Sequence, residues 1–264
     1  MSHIILMMTS IHQSYRDIFS TDLLVRCTLY CCHLLVCVDY NCRYQYNVLY
    51  KSLEVIFIKT IYTIGYTAYS INEFIDVLKH YEISCVIDVR SSPFSNHYTD
   101  YNKDALEKIL NQNNILYRNY AREFGARQTN PVYYSNNIVD FDKFICSEQF
   151  FEGISKITKG IECGYTFVLM CAEKDPINCH RSIMVGKGFS KNGYEVKHIV
   201  SKAKIETQTE LEGRLLEMYH KDRFQLTLFG ESNSETDLIA DAYKKRNLEI
   251  GYNKSNSVDK DEDE

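Results

Sequence analysis

The first 64 residues of this 264-residue chain contain neither glycine nor proline. The first glycine is Gly65, and the first proline is Pro93. These two residue types mark most turns, so their absence predicts either one long element or no regular element in this stretch. The apolar residues of the stretch follow neither the strand period nor the helix period for long. We therefore interpret residues 1–58 as an atypical N-terminal extension, such as a misplaced start codon would add, outside the functional protein.

The chain also lacks a long apolar run and an excess of basic side chains. No uncharged apolar stretch reaches the roughly 18 residues that suggest a membrane span, so no membrane partner is predicted. The 30 Lys and Arg against 35 Asp and Glu give a formal net charge of −5. That charge argues against a protein that coats nucleic acid by releasing counterions. Since no secretion signal is recognisable, we expect a soluble cytoplasmic protein.

The ten cysteines do not have the spacing of a disulfide framework. Five of them crowd one N-terminal segment at irregular intervals, namely Cys27, Cys31, Cys32, Cys37 and Cys42. We predict free thiols in a reducing compartment. A zinc site that uses these cysteines and His33 stays open as an alternative, although the two separated ligand pairs typical of zinc are missing.

From Lys59 onward, apolar strands alternate with amphipathic helices. The predicted strands are residues 61–66, 84–90, 115–120, 165–173 and 194–200. Helices are predicted after Ser70, near 103–113, over 140–161 with an interruption at Gly153, from near Cys179, and after Thr207. Capping boxes, in which a Ser or Thr precedes a Glu by three residues, begin the first and last of these helices. This alternation predicts an α/β domain with a mostly parallel sheet over residues 59–222.

A C-terminal appendage follows at residues 223–254, and an acidic tail at 255–264 is predicted to be disordered. Within the appendage, Gln225, Leu226, Leu228 and Phe229 resemble the short peptide by which bacterial DNA-processing proteins dock on the replication sliding clamp. Phe224, Leu226 and Leu228 also alternate as they would in an edge strand, so a buried strand stays open as the alternative.

Polar and reactive side chains concentrate where the predicted strands end. Ligands of open parallel sheets bind outside the carboxyl ends of the strands. The first strand ends at Gly65 and Tyr66, and the second ends at Asp88 and Arg90, shortly before Ser95. The strand at 165–173 ends at Cys171 and Glu173, and the chain then runs to Cys179, His180 and Arg181.

Four motifs in this region carry a resemblance to a known family. TIGY, DVRSSPFS, CAEKDPINCHRS and VKHI, in this order over about residues 61–200, resemble the family catalogued as domain of unknown function 488. The resemblance implies a Rossmann-like, three-layer α/β domain and a shared pocket, in a family whose reaction is not established. Family members commonly carry a basic residue directly after the Ser of the second motif, whereas Asn96 follows Ser95 here.

The strand ends suggest a reactive thiol beside an anion site. Cys179 is predicted at a helix N-terminus, where free amides and the helix dipole stabilise a thiolate. The candidate catalytic residues are Cys179, Cys171, Asp88 and Glu173, and the candidate substrate-binding residues are Gly65, Tyr66, Arg90, Ser95, Arg122, His180 and Arg181. In the alternative hypothesis the cysteines are small buried apolar residues, and Asp88 pairs with Arg181 to brace the sheet.

These observations favour an enzyme-like accessory of nucleic-acid metabolism, such as DNA repair, with an anionic ligand that is a nucleotide or nucleic acid. No cofactor and no metal is predicted for this site. Two alternatives stay open: a non-catalytic adaptor recruited through residues 225–229, and a small-molecule thiol enzyme unrelated to DNA. The sequence does not decide whether the protein is an enzyme.

Overall fold

The structure is a computed structural model that describes residues 59–221 and 234–256. The extension 1–58, the docking peptide 225–229 and the tail residues 257–264 lie outside the described residues. In the two described ranges, no helix combines the length and the apolar character that a membrane span requires.

A six-stranded sheet forms the centre of the domain. The strands of the described residues are β1 (Thr60–Gly65), β2 (Cys85–Asp88), β3 (Leu116–Asn119), β4 (Tyr134–Ser135), β5 (Ile138–Val139), β6 (Phe167–Cys171), β7 (Glu195–Ser201) and β8 (Lys204–Thr207). The order in the sheet is β3-β2-β6-β1-β7-β8, and only β8 pairs antiparallel to its neighbour. The short strands β4 and β5 form a separate antiparallel hairpin.

Helices cover both faces of this sheet. They are α1 (Ile71–His80), α2 (Lys103–Gln112), α3 (Ala121–Phe124), α4 (Phe141–Ile145), α5 (Glu148–Glu162), α6 (Lys187–Lys191), α7 (Gln208–Tyr219) and α8 (Glu235–Ile250), with a π-helical segment at Arg181–Gly186 directly before α6. Side chains of α1 and α2 pack with Val168 and Met170 of β6 on one face. Leu169 of the same strand faces the other core, with α5 and the π-helical segment. The predicted three-layer α/β fold with a mostly parallel sheet is therefore confirmed.

The local predictions hold closely, with one correction. Each predicted strand is found within one or two residues of its predicted bounds, and both capping boxes form as predicted. The helix break, however, is not at Gly153. It lies at Cys146 and Ser147, where the Ser147 side chain accepts a hydrogen bond from the Phe150 amide and begins α5. Gly153 lies inside α5, where it allows close packing, because a Cβ at this position would come within 2.5 Å of the Phe124 ring.

The connections after two neighbouring strands leave toward opposite faces. The chain after β1 enters α1 on one face, whereas the chain after β6 enters the π-helical segment on the other. This arrangement is the topological switch point of an open α/β sheet, the position at which such sheets bind ligands.

Candidate functional site

The carboxyl ends of β1 and β6 meet at unusually close range. Gly65 lies opposite Cys171 in the parallel register of the two strands. A Cβ on Gly65 would lie 1.9 Å from the carbonyl oxygen of Glu173. Only glycine lets the end of β1 approach the loop after β6 in this way.

The loop after β6 turns the chain back toward the sheet. Asp175 accepts a hydrogen bond from the Ile177 amide, and Arg214 of α7 holds the same carboxylate through an Nη2–Oδ2 contact of 2.7 Å. The Cys179 carbonyl accepts hydrogen bonds from the amides of Ser182 and Ile183. Cys179 therefore lies directly before the π-helical segment, and π-helical turns are frequent at functional sites.

Four side chains meet at this point, and we call Cys171, Glu173, Cys179 and His180 the thiol cluster. Oε2 of Glu173 lies 2.7 Å from Sγ of Cys179 and 3.2 Å from Sγ of Cys171. Nδ1 of His180 lies 3.6 Å from Sγ of Cys171. Although Glu173 is exposed as a residue, its Oε2 touches both sulfurs, whereas the two cysteines are only 3% and 1% exposed.

The cluster concentrates negative charge on one sulfur. Burial alone would raise the pKa of the Cys179 thiol, but the hydrogen bond from Cys171 and the charges of Arg181 and His180 outweigh burial and lower that pKa well below its usual value. The hydrogen bond to Cys179, together with burial, raises the pKa of Cys171. Burial and the neighbouring Cys179 charge raise the pKa of Glu173. For His180, burial lowers the pKa, but the contact with Cys179 raises it overall.

Arg181 is fully buried beside the cluster. Its Nη1 donates to the Glu173 carbonyl at 2.6 Å, and its Nη2 donates to the Lys174 carbonyl at 3.3 Å. Its Nε is buried without a hydrogen-bond partner among the described residues. The guanidinium therefore fixes the loop after β6 and keeps one donor unused.

Arg90, just after the end of β2, also keeps one buried guanidinium nitrogen without a hydrogen-bond partner among the residues that the structure describes. It binds the Asp88 carboxylate through Nε and Nη2, and Nη2 also donates to the Tyr101 carbonyl at 2.8 Å. Its Nη1 is buried without a partner within the described ranges. Its guanidinium lies 5.0 Å from the ring centroid of Tyr66.

Asp88 is fully buried and serves as the partner of Arg90. Its Oδ2 also accepts a hydrogen bond from the Tyr117 hydroxyl at 2.7 Å. Asp88 thus pairs with Arg90 and not with Arg181, which corrects the alternative hypothesis on this point. Sequence reasoning did not single out Tyr117 as an Asp88 partner; the available signal was its position in the strand next to β2.

Two predicted binding residues make their contacts elsewhere. Ser95 accepts hydrogen bonds from the amides of His97 and Tyr98 within its own loop. The Arg122 side chain is 62% exposed and pairs with Glu152 of α5. A cavity of about 620 Å³ also lies apart from the thiol cluster, between α4, α8 and the β4–β5 hairpin. The structure thus brings together Gly65, Tyr66, Arg90, Cys171, Glu173, Cys179, His180 and Arg181.

The fold and the site define an α/β protein with a buried thiol cluster at the switch point of a parallel sheet. Residues 70–186 match the family described as Domain of unknown function DUF488. This match includes the second and third motifs, and it confirms the resemblance predicted from the sequence. No curated protein and no solved structure matches the chain.

Proposed function

We propose that the protein is an enzyme-like accessory of nucleic-acid metabolism that binds a phosphate-bearing ligand at the carboxyl ends of β1, β2 and β6. The observation that carries this proposal is the pair of unused buried donors, Nη1 of Arg90 and Nε of Arg181. Buried polar groups in native proteins normally have partners, so two orphaned guanidinium donors at one sheet edge require an explanation. Phosphate and carboxylate oxygens are the acceptors that form strong, charge-assisted hydrogen bonds with guanidinium groups.

Aromatic rings next to Arg90 favour a nucleotide over inorganic phosphate. Tyr66 stacks on Tyr101 with a centroid distance of 4.4 Å, and Tyr98 packs edge-on against Tyr66 at 5.6 Å. Tyr98 and Phe94, both in the loop after β2, are 41% and 65% exposed. Tyr98, which is exposed and packs against the Tyr66 ring beside Arg90, would provide a surface on which a base stacks.

Within the thiol cluster, Cys179 is the candidate group that reacts with the bound ligand when its sulfur is free. Burial limits access to this sulfur, because Cys179 is only 1% exposed. Among the five cysteines that the structure describes, bulky alkylating reagents should therefore react first with Cys146 and Cys163, which are exposed. If a ligand slows the alkylation of Cys179 but not that of Cys146 and Cys163, the ligand occupies the site and does not shield the protein in general.

The test measures binding of a nucleoside monophosphate, a dinucleotide and inorganic phosphate to the full-length protein by calorimetry. Arg181→Lys and Arg90→Lys keep the positive charge but remove the planar fork, so each should weaken nucleotide binding at least about tenfold. Arg122→Lys is the matched control because its side chain is exposed and pairs with α5.

Three outcomes would contradict the proposal. These are no binding of any of the three probes at millimolar concentration, equal weakening in the Arg122 variant, or unchanged binding in both variants of the buried arginines. Thermal unfolding of each variant shows whether a loss of binding reflects a loss of fold.

A further inference from the structure

We infer that Cys171, Cys179, His180 and Glu173 form a binding site for a divalent transition metal, with zinc as the ion that suits the donors best. The ligand atoms of Cys171, Cys179 and His180 all lie within 4.8 Å of one another. Oε2 of Glu173 touches both sulfurs and completes a set of four. This inference goes beyond the anion-binding function and does not depend on it.

The spacing of the donors is close to that of a tetrahedral site. With Zn–S bonds of about 2.3 Å and Zn–N bonds of about 2.0–2.1 Å, a sulfur and a nitrogen ligand lie about 3.6 Å apart. The distance between Sγ of Cys171 and Nδ1 of His180 is 3.6 Å. The Glu173 oxygen, at 3.2 and 2.7 Å from the two sulfurs, needs to shift outward by less than about 1 Å to reach the separation of about 3.5 Å that a tetrahedral site requires.

The orientation of His180 is that of a metal ligand. Nε2 of His180 lies 3.1 Å from the Val89 carbonyl oxygen, which can only accept a hydrogen bond. Nε2 therefore carries a proton in either form of the ring, and in the neutral form that a metal ligand needs, the lone pair lies on Nδ1, the atom 3.6 Å from the Cys171 sulfur. Histidine ligands almost always donate their second ring N–H in this way, because the bond fixes both tautomer and ring orientation.

The fold fixes the backbone positions of these donors, and a bound cation would balance their charge. Cys171 ends a central strand, and Cys179 and His180 lie directly before the π-helical segment, so the backbone positions are set by the fold. Arg181 holds the intervening loop through the Glu173 and Lys174 carbonyls. Metal binding would release the remaining thiol protons, and the cation would then balance the negative charge of two thiolates and a carboxylate.

The donor types select the class of metal. Two thiolates and an imidazole favour zinc and related ions, whereas calcium and magnesium bind oxygen ligands. In the metal-bound protein, the Cys179 sulfur is a ligand and not a free nucleophile. The unused donors of Arg90 and Arg181 are not part of this ligand set, so metal binding and anion binding can be measured separately.

The experiment titrates the reduced, metal-stripped full-length protein with Co²⁺ and then displaces it with Zn²⁺. We expect one equivalent to give the intense visible bands of tetrahedral cobalt and thiolate-to-cobalt charge-transfer absorption. Cys171→Ser and Cys179→Ser should each lower the zinc affinity at least about 100-fold, since each removes one of four ligands. Cys146→Ser and Cys163→Ser, which change exposed thiols outside the cluster, should leave the affinity unchanged.

The five N-terminal cysteines are a second possible source of thiolates and need their own control. A full-length variant with serine at all five positions should retain the cobalt spectrum. Loss of the spectrum in this variant, or its persistence in both cluster variants, would overturn the inference. If either cluster variant fails to fold, Glu173→Gln decides: a shifted spectrum with at least about tenfold weaker zinc binding supports the site, and an unchanged spectrum and affinity refute it.

Discussion

Acidification should destabilise the protein through His198, a fully buried histidine of β7. The Gln208 amide nitrogen donates to the Ser182 carbonyl and the Tyr243 hydroxyl, so its oxygen faces Nε2 of His198 at 3.0 Å. Nε2 is therefore protonated, and Nδ1 accepts a hydrogen bond from the Thr63 hydroxyl at 2.8 Å. This network fits the neutral imidazole, because both ring nitrogens would be donors in the charged form.

The pKa of His198 determines how much stability the protein loses on acidification. Burial and the positive charges of Arg181 and Arg214 lower this pKa from 6.5 to about 3, against smaller opposing effects of the Gln208 hydrogen bond and Cys179. Below pH 6.5 the unfolded chain takes up a proton at this position and the folded protein does not. The stabilisation is therefore present above about pH 6.5 and is lost as the pH falls toward 3. Between pH 7 and pH 5 the loss amounts to about 2 kcal/mol.

Urea unfolding at pH 7 and pH 5 measures this loss against His198→Gln, which cannot be protonated. The wild-type protein should lose about 2 kcal/mol more than the variant over this interval, because the other titrating groups are common to both. His80→Gln removes an exposed histidine and should keep the wild-type pH dependence. Equal pH dependence in the wild type and His198→Gln would refute the reasoning.

Three further predictions concern the strand contact and the chain ends. Gly65→Ala should lower the free energy of unfolding by about 1–3 kcal/mol, because the added Cβ overlaps the loop after β6. Gly213→Ala in α7 adds a Cβ that meets no atom within 4 Å, so it should raise the free energy of unfolding by up to about 1 kcal/mol. Urea unfolding measures both variants. Gln225→Ala combined with Phe229→Ala should abolish binding to a sliding clamp from the same cell, measured by calorimetry, and unfolding of this variant would indicate a buried strand instead. A chain that starts at Lys59 should fold alone, and a melting temperature lowered by more than about 4–8 °C would contradict that domain boundary.

Strands with apolar residues on both faces were predictable from the sequence. In β6, Val168 and Met170 face one core and Leu169 faces the other, so the run is uninterrupted and conspicuous. The edge strand β8 was missed, and the sixteen-residue helix α8 was predicted only as a short helix-prone segment of the appendage. β8 buries only Glu206 of its four residues, and α8 buries only Ala242 and Tyr243. Such elements leave no periodic apolar signal, because tertiary contacts define them.

The sequence predicted where the candidate site lies better than it predicted which contacts the site residues make. The rule that ligands bind at the carboxyl ends of parallel strands brought Cys171 and Cys179 together, although seven residues separate them. The same rule could not reveal that Asp88 folds back onto Arg90, two residues later along the chain. It also could not place Arg122, since the pairing of that side chain with α5 depends on how a short helix packs.

Arg181 couples the two proposed properties of the site. Its Nη groups hold the carbonyls of Glu173 and Lys174, and these contacts fix the loop that brings Glu173 to the sulfurs. Its remaining donor, Nε, is the one that an anion would use. An anion that draws the guanidinium toward itself would therefore also pull on the loop, so ligand binding should change the geometry of the thiol cluster. A substitution at Arg181 should disturb both properties, whereas one at Arg90 should leave the cluster intact.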